Sequence, residues 1–90
     1  MEITWDDRKE EANIKKHGVD FGEAVTVICN PLSLYRMNAH PSENRFEYIG
    51  HSDRDQVLFV VTVEEIDDVV HIISARKAEP DERKEYEEGR

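Results

Sequence analysis

Hydrophobic positions along this 90-residue chain follow two periods, and the change of period marks out its parts. Phe21, Ala24, Val25 and Ile28 recur at i, i+3, i+4 and i+7, which predicts a helix that buries one stripe. Past residue 31 the spacing shortens. Leu32–Met37 and Arg45–Ile49 alternate in part, as half-buried strands do. Gln56–Val63 contains the unbroken run Val57-Leu58-Phe59-Val60-Val61, suited to a central strand covered on both faces. Val69–Arg76 is a further strand. Counting by two puts Val70, Ile72, Ser74 and Arg76 on one face, and His71, Ile73 and Ala75 on the other.

Punctuating residues set the boundaries. Asp6–His17 is predicted to be a helix, with Asp7 and Glu10 spaced as a capping box, Glu11 and Lys15 as an i,i+4 pair, and Gly18 as the stop. Asp20 and Glu23 form a second box, and Asn30-Pro31 ends the helix it starts. Asn38–Asn44 is a polar loop containing Pro41 and Ser42, and Glu64–Asp68 is an acidic hairpin turn. Pro80 suits the first position of a last helix, with Asp81 and Glu82 complementing its dipole. With Glu2–Trp5 as a first strand, the order is β-α-α-β-β-β-β-α. The expectation is one α+β domain spanning residues 1–90: a twisted, mostly antiparallel sheet with helices packed on one face.

Charge complicates this picture. The formal net charge is −9, and a field of that sign repels polyanions. Yet at 100° per residue Lys9, Asn13, Lys16 and His17 share one helix face, so the first helix presents a polar, mostly basic side. The single cysteine, Cys29, excludes an internal disulfide, and the four histidines, scattered along the chain, match no zinc-ligand spacing. A chain this short buries only roughly 60% of its unfolded surface, so a partner is a natural source of extra stability. The first residues have neither a basic start nor an apolar run, and no stretch is long enough to span a bilayer. The expected location is the cytoplasm.

Two blocks carry a resemblance. The first reads Trp5-Asp6, Lys9, Asn13, Lys16-His17-Gly18-Val19, Phe21 and Glu23-Ala24; the second reads Ile72-Ile73-Ser74-Ala75-Arg76-Lys77-Ala78, Glu82-Arg83 and Tyr86-Glu87. Between them lie Asn30-Pro31-Leu32, Arg45-Phe46 and Ile49-Gly50. In order and spacing, over nearly the whole chain, this resembles the BrnT family of bacterial toxins. The resemblance implies a RelE-like fold and a ribonuclease that slows translation. It also implies a BrnA-type antitoxin that neutralises the toxin, binds operator DNA for the pair, and forms a heterotetramer with two copies of each. The sequence departs from the pattern at Thr62-Val63-Glu64-Glu65, where an arginine often follows the central strand, and at His71, where a basic residue is common. Both departures remove positive charge. They motivate an alternative: a catalytically weakened, toxin-like module that binds an antitoxin and acts as a co-repressor.

Metal-free RNA cleavage needs a base for the 2′-hydroxyl proton, cations for the charged phosphorane, and an acid for the leaving 5′-oxygen. Arg76, at a strand end before a helix start, is the first phosphate candidate, with a salt bridge to Glu79 or Glu82 as the competing role. Arg45 is the second, with a structural ion pair as its alternative. Lys16 and His17 form the expected proton-transfer pair, although a histidine at a helix end also serves as a cap. Glu82 and Tyr86, neighbours at i and i+4, offer a base and a stacking or hydrogen-bonding ring, or simply pack on the sheet. Trp5 and Phe21 are expected in the core, Lys77 on the surface, and His40 and His51 in exposed loops.

Overall fold

The computed structural model describes residues 1–40, 42–65 and 67–89, without the side chains of Ala39, His40 and Glu65. Pro41 of the expected loop, Ile66 of the expected turn and the His40 side chain therefore lie outside the described residues. The elements are β1 (Glu2–Trp5), α1 (Asp7–His17), α2 (Phe21–Ile28), β2 (Leu34–His40), β3 (Glu43–His51), β4 (Val57–Glu65), β5 (Val69–Lys77) and α3 (Pro80–Glu88). The strands form one five-stranded sheet in the order β1-β5-β4-β3-β2. β1 runs parallel to β5, and the other three pairings are antiparallel.

Local chemistry explains the helix starts, with two corrections. Asp6, not Asp7, caps α1, accepting from the backbone N–H groups of Arg8 and Lys9. Glu10 reaches forward instead, accepting the Phe21 N–H at 2.9 Å and so closing the bend from α1 into α2. Gly18 makes that bend at φ +73°, a conformation that glycine takes without penalty. Asp20 caps α2 through the Glu23 N–H, which holds its carboxyl below the usual range, helped by Arg54. Glu23 does not complete the box. Its buried carboxylate accepts from Ser52 Oγ at 2.6 Å and Gln56 Nε2 at 2.9 Å, pinning the β3–β4 turn to α2.

The expected 38–44 loop is mostly strand: β2 continues to His40 and β3 begins at Glu43. The helices also occupy both faces of the sheet rather than one. Val19, Phe21, Ala24, Val27 and Ile28 pack with Tyr48, Leu58, Val60, Val70, Ile72 and Ala75, and Trp5 meets Phe21 edge-on at 6.3 Å. On the opposite face Tyr86 of α3 packs with Ile49, Val57 and Phe59. The unbroken run Val57–Val61 thus does lie between two apolar layers.

A bulge in β5 overturns the face assignment made by counting. Val61 pairs with Ser74 and Thr62 pairs with Ile72, so Ile73 is an extra residue without a cross-strand partner on β4. Val70 and Ile72 face α2, and after the bulge so does Ala75. Ser74 and Arg76 move to the face that carries α3, in step with His71. Beside the bulge the hydroxyl of Thr62 is fully buried and, among the described residues, finds no hydrogen-bond partner.

Candidate functional site on the sheet face

The strand registers arrange the side chains of this second face in rows. Thr4, His71, Val63, Arg45 and Asn38 form one; Ser74, Val61, Glu47 and Arg36 the next; Arg76, Phe59, Ile49 and Leu34 the third. α3 covers the third row through Tyr86. Val61 and Val63, both partly exposed, are an apolar floor ringed by polar and charged groups.

Every arginine in the ring meets a carboxylate. Arg76 donates in bidentate fashion to Glu82, at 2.8 and 2.9 Å, and its guanidinium lies 4.4 Å above the Phe59 ring. Glu82 also accepts the Glu79 N–H at 2.8 Å. Burial pushes the Glu82 carboxyl up, but the Arg76 fork and the Glu79 N–H outweigh it and hold the group below its ordinary range. The same fork raises the Arg76 guanidinium further. Arg36 donates to Glu47 at 2.7 Å and also pairs with Glu85 of α3. Asn38 donates to the other Glu47 oxygen, and Arg45 pairs with Glu43 at 2.7 Å. Planar forks that already grip carboxylates have the geometry that grips phosphate.

The helix residues sit at the sheet edge. β1 stops pairing at Ile72, and beyond it the carboxamide of Asn13 takes over, accepting the Ala75 N–H at 3.2 Å and donating to the Ala75 carbonyl at 2.8 Å. Asn13 is thus a buried anchor, although it lies on the basic side of α1. Around it Lys9, Ala12, Lys16, His17, Ile73 and Ser74 line a shallow pocket of about 250 Å³. Lys16 and His17 therefore meet the bulge of β5, two residues from Arg76, but do not line one pocket with it.

The remaining candidates fall elsewhere. Tyr86 is only 1% exposed, and its hydroxyl lies 3.0 Å from His51 Nδ1. The ring is part of the core under α3, which closes it to stacking on a nucleobase. His51 ends β3 and, with Lys77 and Arg83, lines a separate pocket of about 370 Å³. Sequence reasoning missed Arg36 and Asn38, whose place on this face depends on register, and treated His71 as a lost charge. His71 lies on the floor's rim with Nδ1 2.8 Å from Thr4 Oγ1. Among the described residues no cluster of three His, Cys, Asp or Glu is grouped to hold a metal ion, and no helix is long and apolar enough to cross a membrane.

Compared with known protein families, the chain falls among the ribonuclease toxins of type II toxin–antitoxin systems. Residues 5–82 match the family described as "Ribonuclease toxin, BrnT, of type II toxin-antitoxin system", and the chain belongs to that BrnT family. It is similar to the 1.1 Å crystal structure of the Brucella abortus ribonuclease toxin, BrnT, at 25% identity and a TM-score of 0.66, over 88% of this chain and 97% of that one. That neighbour shares the α+β arrangement of a five-stranded, mostly antiparallel sheet with three helices. No curated protein sequence matches the chain.

Proposed function

We propose that this protein is a metal-independent endoribonuclease that inhibits translation, with its RNA lying across the arginine-ringed sheet face. The observation that carries the reading is the bidentate Arg76–Glu82 pair at the rim of a face that also presents Arg36 and Arg45. Arg76 and Arg45 contact phosphate oxygens and stabilise the charge that builds on phosphorus. Glu82 aims the Arg76 fork, and Lys16 or His17 returns a proton to the leaving 5′-oxygen from the edge of β5. Tyr86 serves as packing for α3 and takes no part in the chemistry.

On this reading the fold is of the RelE-like kind and the protein works in the cytoplasm, where its RNA is. A BrnA-type antitoxin neutralises it in a heterotetramer with two copies of each chain, and reaches operator DNA on behalf of both. The test is cleavage of total bacterial RNA by the purified chain in EDTA, beside growth arrest on expression. Arg76→Ala should lower cleavage about 10²–10³-fold, as removal of a charge-stabilising donor does. Full cleavage by that variant sinks the site assignment.

A second reading has its own observation. Each ring arginine is matched by a carboxylate, and the chain carries a net charge of −9. A face so neutralised suits a weakened enzyme kept as an antitoxin-binding co-repressor. Normal growth on expression, with antitoxin binding retained, favours this reading over the first.

A further inference from the structure

The geometry points to His71, held by Thr4, as the base that takes the 2′-hydroxyl proton; this rests on the ribonuclease reading above. Other candidate groups on the described face are committed elsewhere. Glu82 accepts three hydrogen bonds and is held below the ordinary carboxylate range, which weakens it as a base. Glu47 is occupied by Arg36 and Asn38. Tyr86 is buried, and His51 is tied to it behind α3.

His71 stands apart from these. It is partly buried in the first row, beside the Val63 floor. Arg45 lies two strands away in that row, about 10 Å at ordinary strand spacing. Ser74 and Arg76 follow on the same face of the same strand. A phosphodiester over Ser74 would therefore have the imidazole on one side and the Arg76 guanidinium on the other. The Thr4 contact fixes the ring: with its proton on Nδ1 donated to Thr4 Oγ1, the Nε2 lone pair is left for substrate. The bulge at Ile73 is what places His71 and Arg76 on one face, since six residues of that strand counted strictly by two would put them on opposite faces.

The step balances without a further reactant. Nε2 takes the 2′-hydroxyl proton as the 2′-oxygen bonds to phosphorus. The P–O5′ bond breaks, and the 5′-oxygen leaves with a proton from Lys16 or His17. The products are a 2′,3′-cyclic phosphate and a free 5′-hydroxyl. Thr4 acts only through His71 and is a positioning residue.

The experiment uses the full chain made by cell-free synthesis and a labelled, mixed-sequence RNA transcript in EDTA. His71→Gln keeps a hydrogen-bonding group near Thr4 and should lower kcat about 10²–10⁴-fold, with KM nearly unchanged and the thermal melt preserved. His71→Ala should regain part of its rate when free imidazole is added, a rescue that a purely structural role would not give. Thr4→Val should lower kcat with KM unmoved, and Thr4→Ser should restore it. Wild-type cleavage by His71→Gln, or a rate lost in His71→Ala that imidazole does not lift, overturns the assignment. If the wild-type chain leaves the transcript intact under every condition, the ribonuclease reading falls and takes this inference with it, a distinguishable failure.

Discussion

Asn13 and Ala75 are joined by two hydrogen bonds, one in each direction, so that a helix side chain finishes the ladder that β1 leaves incomplete. The same amide nitrogen also donates to the Val19 carbonyl at 2.8 Å. Asn13→Leu would leave these buried backbone groups without partners, at about 1–3 kcal/mol each. The expected outcome is a loss of about 3 kcal/mol in denaturant unfolding, with α1 displaced from the sheet edge. Asn13→Asp should also destabilise the fold, because a carboxylate cannot donate to the Val19 and Ala75 carbonyls.

The buried hydroxyl of Thr62 leads to the opposite sign. Thr62→Val replaces an unpartnered polar atom by a methyl group of similar size. Removing that unmet desolvation cost should stabilise the fold by about 1 kcal/mol, read as a higher midpoint in urea. A lower midpoint would show that the hydroxyl is satisfied in solution.

Gly50 is expected to be intolerant of any side chain. A Cβ there would come within 2.8 Å of Ser33 Cβ and 3.1 Å of Ser33 Cα, where the link from α2 enters β2. Gly50→Ala should cost about 1–3 kcal/mol through overpacking, and pairing it with Ser33→Gly should recover much of that loss.

Two titrations test the carboxylate network. The Glu82 carboxyl is lowered in the folded chain, so the stability it adds is present above its unfolded value of 4.5 and is lost as pH falls through its folded value. Glu82→Gln should flatten this acid limb of the stability curve. Tyr35 shows the reverse case. Burial, with Glu64 beside its hydroxyl, raises it to about 12, so its contribution is intact below the unfolded value of 10.0 and fades as pH climbs towards 12. Phenolate absorbance should report Tyr35 ionising at lower pH in Glu64→Gln.

The legible parts of the fold were those set by neighbours in sequence. The apolar stripe of α2, the Gly18 stop, the Pro80 start and the run Val57–Val61 each depend on residues within one turn or one strand. The other features depend on partners distant in sequence. Glu10 and Glu23 stand at capping-box spacing, yet their carboxylates go to Phe21 and to the Ser52–Gln56 turn. The side chosen by α3 depends on where Tyr86 finds Ile49 and Phe59, which no local pattern records. At the site, Arg76 and Glu82 could be paired from their spacing around a helix start. Arg36 could not be placed without the register that sets it opposite Glu47. The place of His71 on the same face as Arg76 could not be counted out, because adjacent Ile72 and Ile73 hide the extra residue in the strand.

That extra residue has a consequence for comparing relatives. Within β5, the segments before and after Ile73 obey opposite parities in residue number, yet a one-residue gap aligned at Ile73 is neutral: Thr62–Ile72 and Val61–Ser74 become consecutive regular pairs, and every later side chain keeps its face. The same residues paired without a bulge would instead exchange inside for outside beyond Ile72. A chain that lost Ile73 would keep its arginine opposite Phe59 and on the same side as His71. A single-residue deletion at this point should therefore be tolerated without compensating shifts in the Ser74–Lys77 segment, whereas a deletion after Ser74 should not.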